Sequence, residues 1–312
     1  MITIIVPVQN DLRITKLIDS LFQAKLLECQ ETFRLVFSLN KASKKIEILT
    51  KDLAQKFPNL IQVVKSQESG ISVAKNLAIK TYFKETDYFG FIDSDCIVNP
   101  DYLFVLQKYL LSNKYQVVRG KVNFIPLKGN TLSNLNCKLR NASYFLNQKA
   151  LLSPNLILSK EVFQKAGVYD PRIKYGDDLE FGQRTKSFDL KSIYAQDLLV
   201  NHYDDRSFWG KTLKTMWGYG QDRGFRLTRL LRLHHHSFCD VVSLIIGFQA
   251  YWQPRVIAEI IFCLGYLIIS RISTTISILN LRKKPNSHFF EHPTLTGQNQ
   301  IITSLPINKE LP

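Results

Sequence analysis

Cysteine is scarce and scattered. Cys29, Cys96, Cys137, Cys239 and Cys263 are an odd count, and no two form a C-x-x-C pair. That argues against a disulfide framework and a structural zinc site, so a reducing compartment is expected. Glycine and proline number only 14 and 11 in 312 residues, too few for a collagen-like chain or a low-complexity linker. No G-x-G-x-x-G follows the opening apolar run, so a dinucleotide cofactor is disfavoured; no G-x-x-x-x-G-K-[ST] occurs, which disfavours a P-loop ATPase. The first residues carry no basic n-region, so no signal peptide is expected. Acids are the last shortage: 26 Asp+Glu against 41 Lys+Arg leave a formal charge of +15. Such an excess implies an anionic partner, whether nucleic acid, a membrane surface or a phosphorylated substrate. No helix-turn-helix, RRM or zinc motif accompanies it, so no nucleic-acid partner is expected.

With 45% hydrophobic residues the chain can bury a sizeable core. Residues 2–8, 33–39, 60–64 and 88–92 are short apolar runs that read as buried strands. Residues 15–27, 46–57 and 72–83 lie between them with helical spacing, Leu17, Ile18, Leu21, Phe22 and Leu26 forming one face. Strand and helix alternate, which predicts a doubly wound, mostly parallel α/β sheet. Ligands of such sheets bind beyond the carboxyl ends of the strands. The polar groups there are Gln9-Asn10-Asp11, Asn40-Lys41-Ala42-Ser43, Ser66 to Gly70 and Asp93-Ser94-Asp95.

Asp93 and Asp95 follow a buried strand at i and i+2, so a turn there aims both carboxylates at one point. Mg²⁺ and Mn²⁺ take oxygen ligands and leave room for substrate phosphates. Turn capping before Asn99-Pro100 is the competing explanation. Asp177-Asp178 stand at a helix start, where acids favour the macrodipole; one of them as a general base is the alternative. Local chemistry does not choose.

From Arg206 the composition shifts. Arg206, Lys211, Lys214, Arg223, Arg226, Arg229 and Arg232 share their segment with one acid, Asp222, and His234-His235-His236 follow. Apolar stretches 238–252 and 256–270 come next, the second extending to about Leu281 across Arg271. Neither is an uninterrupted run of the ~20 residues a spanning helix needs. Basic residues beside such stretches fit a membrane surface on its cytoplasmic side. Trp209, Trp217, Tyr219 and Trp252 are either interfacial anchors or core.

The ordered strings resemble the family 2 glycosyltransferases, enzymes of the GT-A fold, over residues 2–224. They are Ile4-Ile5-Val6-Pro7-Val8-Gln9-Asn10, Ser69-Gly70-Ile71-Ser72-Val73-Ala74-Lys75-Asn76, Phe91-Ile92-Asp93-Ser94-Asp95, Asn155-Leu156-Ile157-Leu158, Gly176-Asp177-Asp178-Leu179-Glu180 and Val200-Asn201-His202. The resemblance implies a sugar moved from a nucleotide-sugar donor, most often a UDP-sugar, to a saccharide or lipid-linked acceptor, with inversion and with Mg²⁺ or Mn²⁺. It puts Pro7, Val8, Gln9, Asn10, Asn40, Gly70, Lys75, Asn76 and Asp93 around the nucleotide sugar. Asp95, Asp93 and His202 would hold the metal. Asp178 would be the base, with Asp177 open as the other choice.

The chain departs from the family pattern at several points. Leu39-Asn40-Lys41-Ala42 replaces a D-D-G-S-like loop. Lys75 stands where Arg is commoner and lacks its bidentate fork. Asp177 replaces a Glu. No Q-x-x-R-W string occurs, which disfavours a processive synthase. The expected organisation is a catalytic domain over 1–225, a basic, apolar, membrane-associating helical region over 226–285 and a disordered polar tail over 286–312. The competing class is an inactive family member serving as a sugar- or membrane-binding scaffold.

Overall fold

The computed structural model describes residues 1–29, 32–112, 114–146, 150–234, 257–283, 291–295 and 299–301. Its first half follows the alternating pattern closely. Strand β1 (Ile2–Val8) is flanked by parallel β2 (Phe33–Asn40) and β4 (Tyr88–Phe91), and β3 (Ile61–Ser66) lies outside β2. β1 is covered on both faces, which is why it reads as an unbroken apolar run rather than an alternating one. Pro7 is tolerated there because β4 leaves the ladder at Ile5, two residues earlier.

Helices α1 (Ile14–Gln23), α2 (Lys44–Lys56) and α3 (Ile71–Tyr82) make the crossovers. Ile14, Leu17, Ile18 and Leu21 bury one stripe of α1 at helical spacing. A 3-10 turn at Leu26–Cys29 follows it, so the helix stops four residues short of the expected end.

The second half carries elements that periodicity did not mark. In chain order they are β5 (Cys96–Val98), α4 (Tyr102–Leu111), β6 (Val117–Pro126), α5 (Thr131–Leu146), β7 (Leu156–Ser159), α6 (Lys160–Ala166), α7 (Asp177–Thr185) and β8 (Ser192–Asp204). They complete one sheet of order β3-β2-β1-β4-β7-β6-β8-β5. β7 runs antiparallel to both β4 and β6, and β5 runs antiparallel to β8. Both reversals place function. Leu156 pairs with Phe91, so Ser153 and Asn155 arrive beside the end of β4. Cys96 pairs with His202, so His202 arrives beside Asp95. Asn155 locks the joint, donating to the carbonyls of Lys121 and Leu198 at 3.0 and 2.8 Å and accepting from the Tyr102 hydroxyl at 2.8 Å.

Two long helices follow, α8 (Trp209–His234) and α9 (Ile257–Lys283). α8 runs through residue 225. α9 is continuous across Arg271, and its Leu264–Leu281 stretch is long and apolar enough to cross a membrane, with only 22% of it buried. The two helices meet through small residues. A Cβ on Gly224 would lie 2.7 Å from the Thr274 carbonyl, and Ser277 and Thr274 donate to the carbonyls of Gln221 and Gly220 at 2.8 and 3.0 Å. Close backbone approach with hydroxyl bridges is the packing that apolar solvent favours. Asp222 of α8 accepts from the backbone N–H groups of Lys174 and Tyr175, so this helix pair also braces the turn before α7.

In the expected polar tail, strands β9 (Glu291–Pro293) and β10 (Asn299–Ile301) pair antiparallel, and the Pro293 carbonyl accepts from Val168 at 3.1 Å. His235, His236, the 238–252 stretch, Trp252 and most of the tail lie outside the described residues.

Candidate active site

Two acidic clusters form at the carboxyl edge of the sheet. The first is built on the β4–β5 turn. His202 Nε2 lies 3.5 Å from Asp93 Oδ2 and 3.3 Å from Asp95 Oδ1. His202 is buried, its ring 4.9 Å from that of Phe124, and its Nδ1 has no hydrogen-bond partner among the described residues. Burial pushes both carboxyls up. For Asp93 the His202 hydrogen bond and the charges of His202, Lys75 and Arg140 outweigh it, leaving the group below the usual carboxylate range. For Asp95 burial, joined by the negative charges of Asp93 and Asp11, prevails over His202 and Arg13, and the group sits above that range.

This donor set fits a divalent cation. Ligand atoms of Asp95, Cys96 and His202 all lie within 4.8 Å of one another. Cys96 is buried, and burial with the neighbouring Asp93 and Asp95 charges raises its thiol well above the ordinary value. A thiol that stays protonated is a poor ligand. The usable donors are therefore two carboxylates and an imidazole, a set suited to Mn²⁺ and, through its oxygens, Mg²⁺. The fold brings Asp93, Asp95 and His202 to one point.

The second cluster stands at the N-terminus of α7. Gly176 precedes it at φ +72°, a left-handed turn that a side chain would strain. Asp178 Oδ1 accepts from its neighbour Leu179 N at 2.8 Å, and Oδ2 accepts from Ser153 N at 3.1 Å. Burial and the Asp177 charge push the Asp178 carboxyl up to about 6, against the pull of Lys75. A carboxylate poised there is ionised at neutral pH yet basic enough to take a proton. Asp177 differs: its Oδ2 is tied at 3.0 Å to the Lys75 ammonium. Geometry thus separates two residues that sequence left open, giving Asp177 a charge partner and Asp178 a raised pKa.

Lys75 joins the two clusters. It is wholly buried, 4.7 Å over the Tyr169 ring, with Ser153 Oγ at 3.4 Å. The charges of Asp177, Asp178 and Asp93, in that order, raise its pKa against desolvation. Its ammonium therefore lies beneath the acids, hydrogen-bonded to Asp177.

The remaining expected residues fall into two groups. Gln9 and Asn10 are exposed, Pro7 half-buried and Val8 buried at the end of β1; Asn10 Oδ1 accepts from Ser43 N at 2.6 Å. Asn40 Oδ1 accepts from Gly70 N at 3.0 Å, closing the loops after β2 and β3 onto each other. Asn76 has both ends of its amide engaged with the Tyr169 backbone, at 2.7 and 2.9 Å, and serves as a clamp.

Sequence reasoning missed Arg13, Ser153 and the Asp204–Arg206 unit. Arg13 lies 3.3 Å from Asp95. Asp204 is held well below the usual range because Arg206 and Arg140 outweigh its burial. One signal existed. Asp11-x-Arg13, Asp170-x-Arg172 and Asp204-x-Arg206 share a spacing, and in each the Asp accepts both the Arg backbone N–H and its guanidinium.

Residues 3–167, more than half the chain, match the family described as Glycosyl transferase family 2. Among characterised proteins, the minor teichoic acid biosynthesis protein GgaB of Bacillus subtilis (strain 168) is 33% identical over 98 residues. That stretch is 31% of this chain and about a tenth of GgaB, 10%. S. aureus TarS (residues 1–349, complexed with UDP-GlcNAc) superimposes with a TM-score of 0.52 at 16% identity, covering 90% of each chain. The mannosyltransferase PcManGT of Pyrobaculum calidifontis, complexed with GDP-Man and Mn²⁺, gives 0.51 at 13% identity over 92% of this chain and 76% of its own. At such identities the likeness establishes the fold, which is GT-A.

Proposed function

The chain belongs to glycosyl transferase family 2, and from that premise we propose that it is an inverting, metal-dependent transferase. It moves a hexosyl unit from a nucleoside-diphosphate sugar to a saccharide or lipid-linked acceptor. The observation that carries this is the shared Lys75 ammonium, which stabilises a metal-type cluster on one side and a base-type carboxylate on the other. Asp93, Asp95 and His202 hold the cation, Mg²⁺ or Mn²⁺. When bound, it neutralises charge on the leaving diphosphate. Pro7, Val8, Gln9, Asn10, Asn40 and Gly70 line the nucleotide side, Lys75 and Asn76 shaping it from beneath. Asp178 takes the acceptor hydroxyl's proton as its oxygen bonds to the anomeric carbon. The carbon–diphosphate bond breaks on the opposite face, its electron pair leaving with the nucleoside diphosphate. The known relatives support a nucleotide-sugar donor, a UDP-sugar first, and synthesis of a teichoic-acid-like polymer. A panel of nucleotide sugars, read by nucleoside diphosphate release and by the anomeric configuration of the product, tests the proposal. Retention in the product contradicts it.

We place the enzyme on the cytoplasmic face of the cell membrane, with residues 1–225 catalytic and 226–285 attached to the bilayer. On α9 the exposed positions Ile261, Leu264, Ile268, Ile272, Ile276 and Leu279 form a stripe of large apolar side chains, and Phe208, Trp209, Leu213 and Trp217 are exposed at the start of α8. The stripe is about 27 Å long at 1.5 Å per residue. Lys214 is exposed beside these aromatics, a pairing that suits an anionic interface. Arg206 and Lys211 do not add to that charge, being paired with Asp204 and Asp205. Flotation with vesicles of 30% anionic lipid is expected to carry the full chain up. The Ile268→Asp/Ile272→Asp variant should stay behind, and equal flotation of the two would contradict membrane attachment by this face.

A further inference from the structure

We propose that Arg13 is a resident cation that weakens metal binding to the nucleotide-free enzyme, so that the metal is held firmly only together with the donor diphosphate. The inference rests on the cation site proposed above. Arg13 stands one residue before α1, and its guanidinium is fixed on three sides. Nε and Nη2 donate to Asp11 Oδ1 and Oδ2 at 2.8 and 2.5 Å, Nη1 donates to the Tyr203 carbonyl, and Nη2 also faces Asp95 Oδ2 at 3.3 Å and Asp205 Oδ2 at 3.8 Å. Its side chain is only 19% exposed, so solvent screens it weakly. Asp95 therefore meets a guanidinium through Oδ2 and His202 through Oδ1.

A divalent cation on the His202 side would share one carboxylate with a fixed positive charge. Two cations a few ångströms apart in a partly desolvated setting repel by enough to change an affinity by about an order of magnitude. Asp11, Asp205 and Lys211 also face this group. Asp11 offsets Arg13 directly, and Lys211 neutralises Asp205. The balance is thus set locally, and the two or more negative charges of a diphosphate are what would tip it. The metal would then arrive and depart with the nucleotide, and none would remain to hinder the next donor.

Mn²⁺ binding to the full chain, read by electron paramagnetic resonance with and without UDP, tests this. The wild type should bind Mn²⁺ weakly alone and at least about tenfold more tightly with UDP. Arg13→Met should raise the nucleotide-free affinity about tenfold and flatten the UDP effect. Arg13→Lys, which keeps the charge, should resemble the wild type. Asp11→Asn removes the partner and not the cation, and should weaken Mn²⁺; it carries the test if Arg13→Met folds poorly. A purely structural role predicts the opposite for Arg13→Met, and an affinity equal to or below wild type overturns the inference. If the wild type binds no Mn²⁺ even with UDP, the cation site itself fails, a distinguishable result.

Discussion

Asp178→Asn is expected to lower the turnover of sugar transfer by about a thousandfold while leaving donor affinity within about twofold. A positioned general base contributes typically 10²–10⁴, and an amide of the same shape cannot accept the proton. The change should largely preserve the fold: Oδ1 still accepts from Leu179 N, as in the native contact at 2.8 Å, and the bond given up is the 3.1 Å one from Ser153 N to Oδ2. Asp177→Asn should cost less in turnover and more in stability, since Asp177 is the residue ion-paired with Lys75. The pH profile supplies an independent check. Burial and the Asp177 charge raise the Asp178 carboxyl to about 6, so the base is ionised above that pH and protonated below it. Wild-type kcat/KM should be level above pH 7 and fall about tenfold per unit below about pH 6. A profile flat to pH 4.5, or an Asn variant with near-normal turnover, would remove Asp178 from the role.

Lys75→Met should be the most destabilising single change near the site. The ammonium is wholly buried, 3.0 Å from Asp177, and feels the charges of Asp178 and Asp93. Removing one member of a buried pair leaves its partner charged and desolvated, which costs about 3–5 kcal/mol. For a chain of this size that lowers Tm by about 10 °C. Adding Asp177→Leu to Lys75→Met should restore most of the loss, because both charges then leave together. Activity separates the two roles of Lys75. The lysine charge draws the Asp178 pKa down. Any folded Lys75→Met enzyme should therefore show its acid limb displaced to higher pH. An unchanged Tm, or an acid limb that does not move, would mean that Lys75 is not the joint between the clusters.

The first half of the fold was legible because each buried parallel strand is a short apolar run and each crossover helix has its own apolar stripe. β1, β2 and β4 were read to within a residue or two. The second half resisted for a physical reason. β5 has three residues, β7 has four, and both reverse direction, so neither leaves a periodic signature. Their consequences were visible only through ordered strings: these singled out Asp93-Ser94-Asp95, Gly176-Asp177-Asp178 and His202, and did not point to Ser153 or Arg13. Ser153 reaches Asp178 because β7 runs antiparallel to β4, and sequence spacing carries no trace of that. Arg13 was in reach of a spacing argument. Its Asp-x-Arg pattern recurs twice, and the role of each pair follows from the Asp carboxylate accepting both backbone and guanidinium N–H groups. The charge excess was legible as a number, while the pairing of two of its cations, Arg206 and Lys211, with Asp204 and Asp205 was not.

The most direct test is nucleoside diphosphate release by wild-type and Asp95→Ala enzyme, across a panel of nucleotide sugars at pH 7.5 with Mn²⁺. The wild type should turn over at least one donor. Asp95→Ala should lose at least about a hundredfold of that rate, as expected when the charge stabilisation of the leaving group is removed. Turnover that survives Asp95→Ala, and the matching Asp93→Ala, would contradict a metal-held diphosphate at this edge of the sheet.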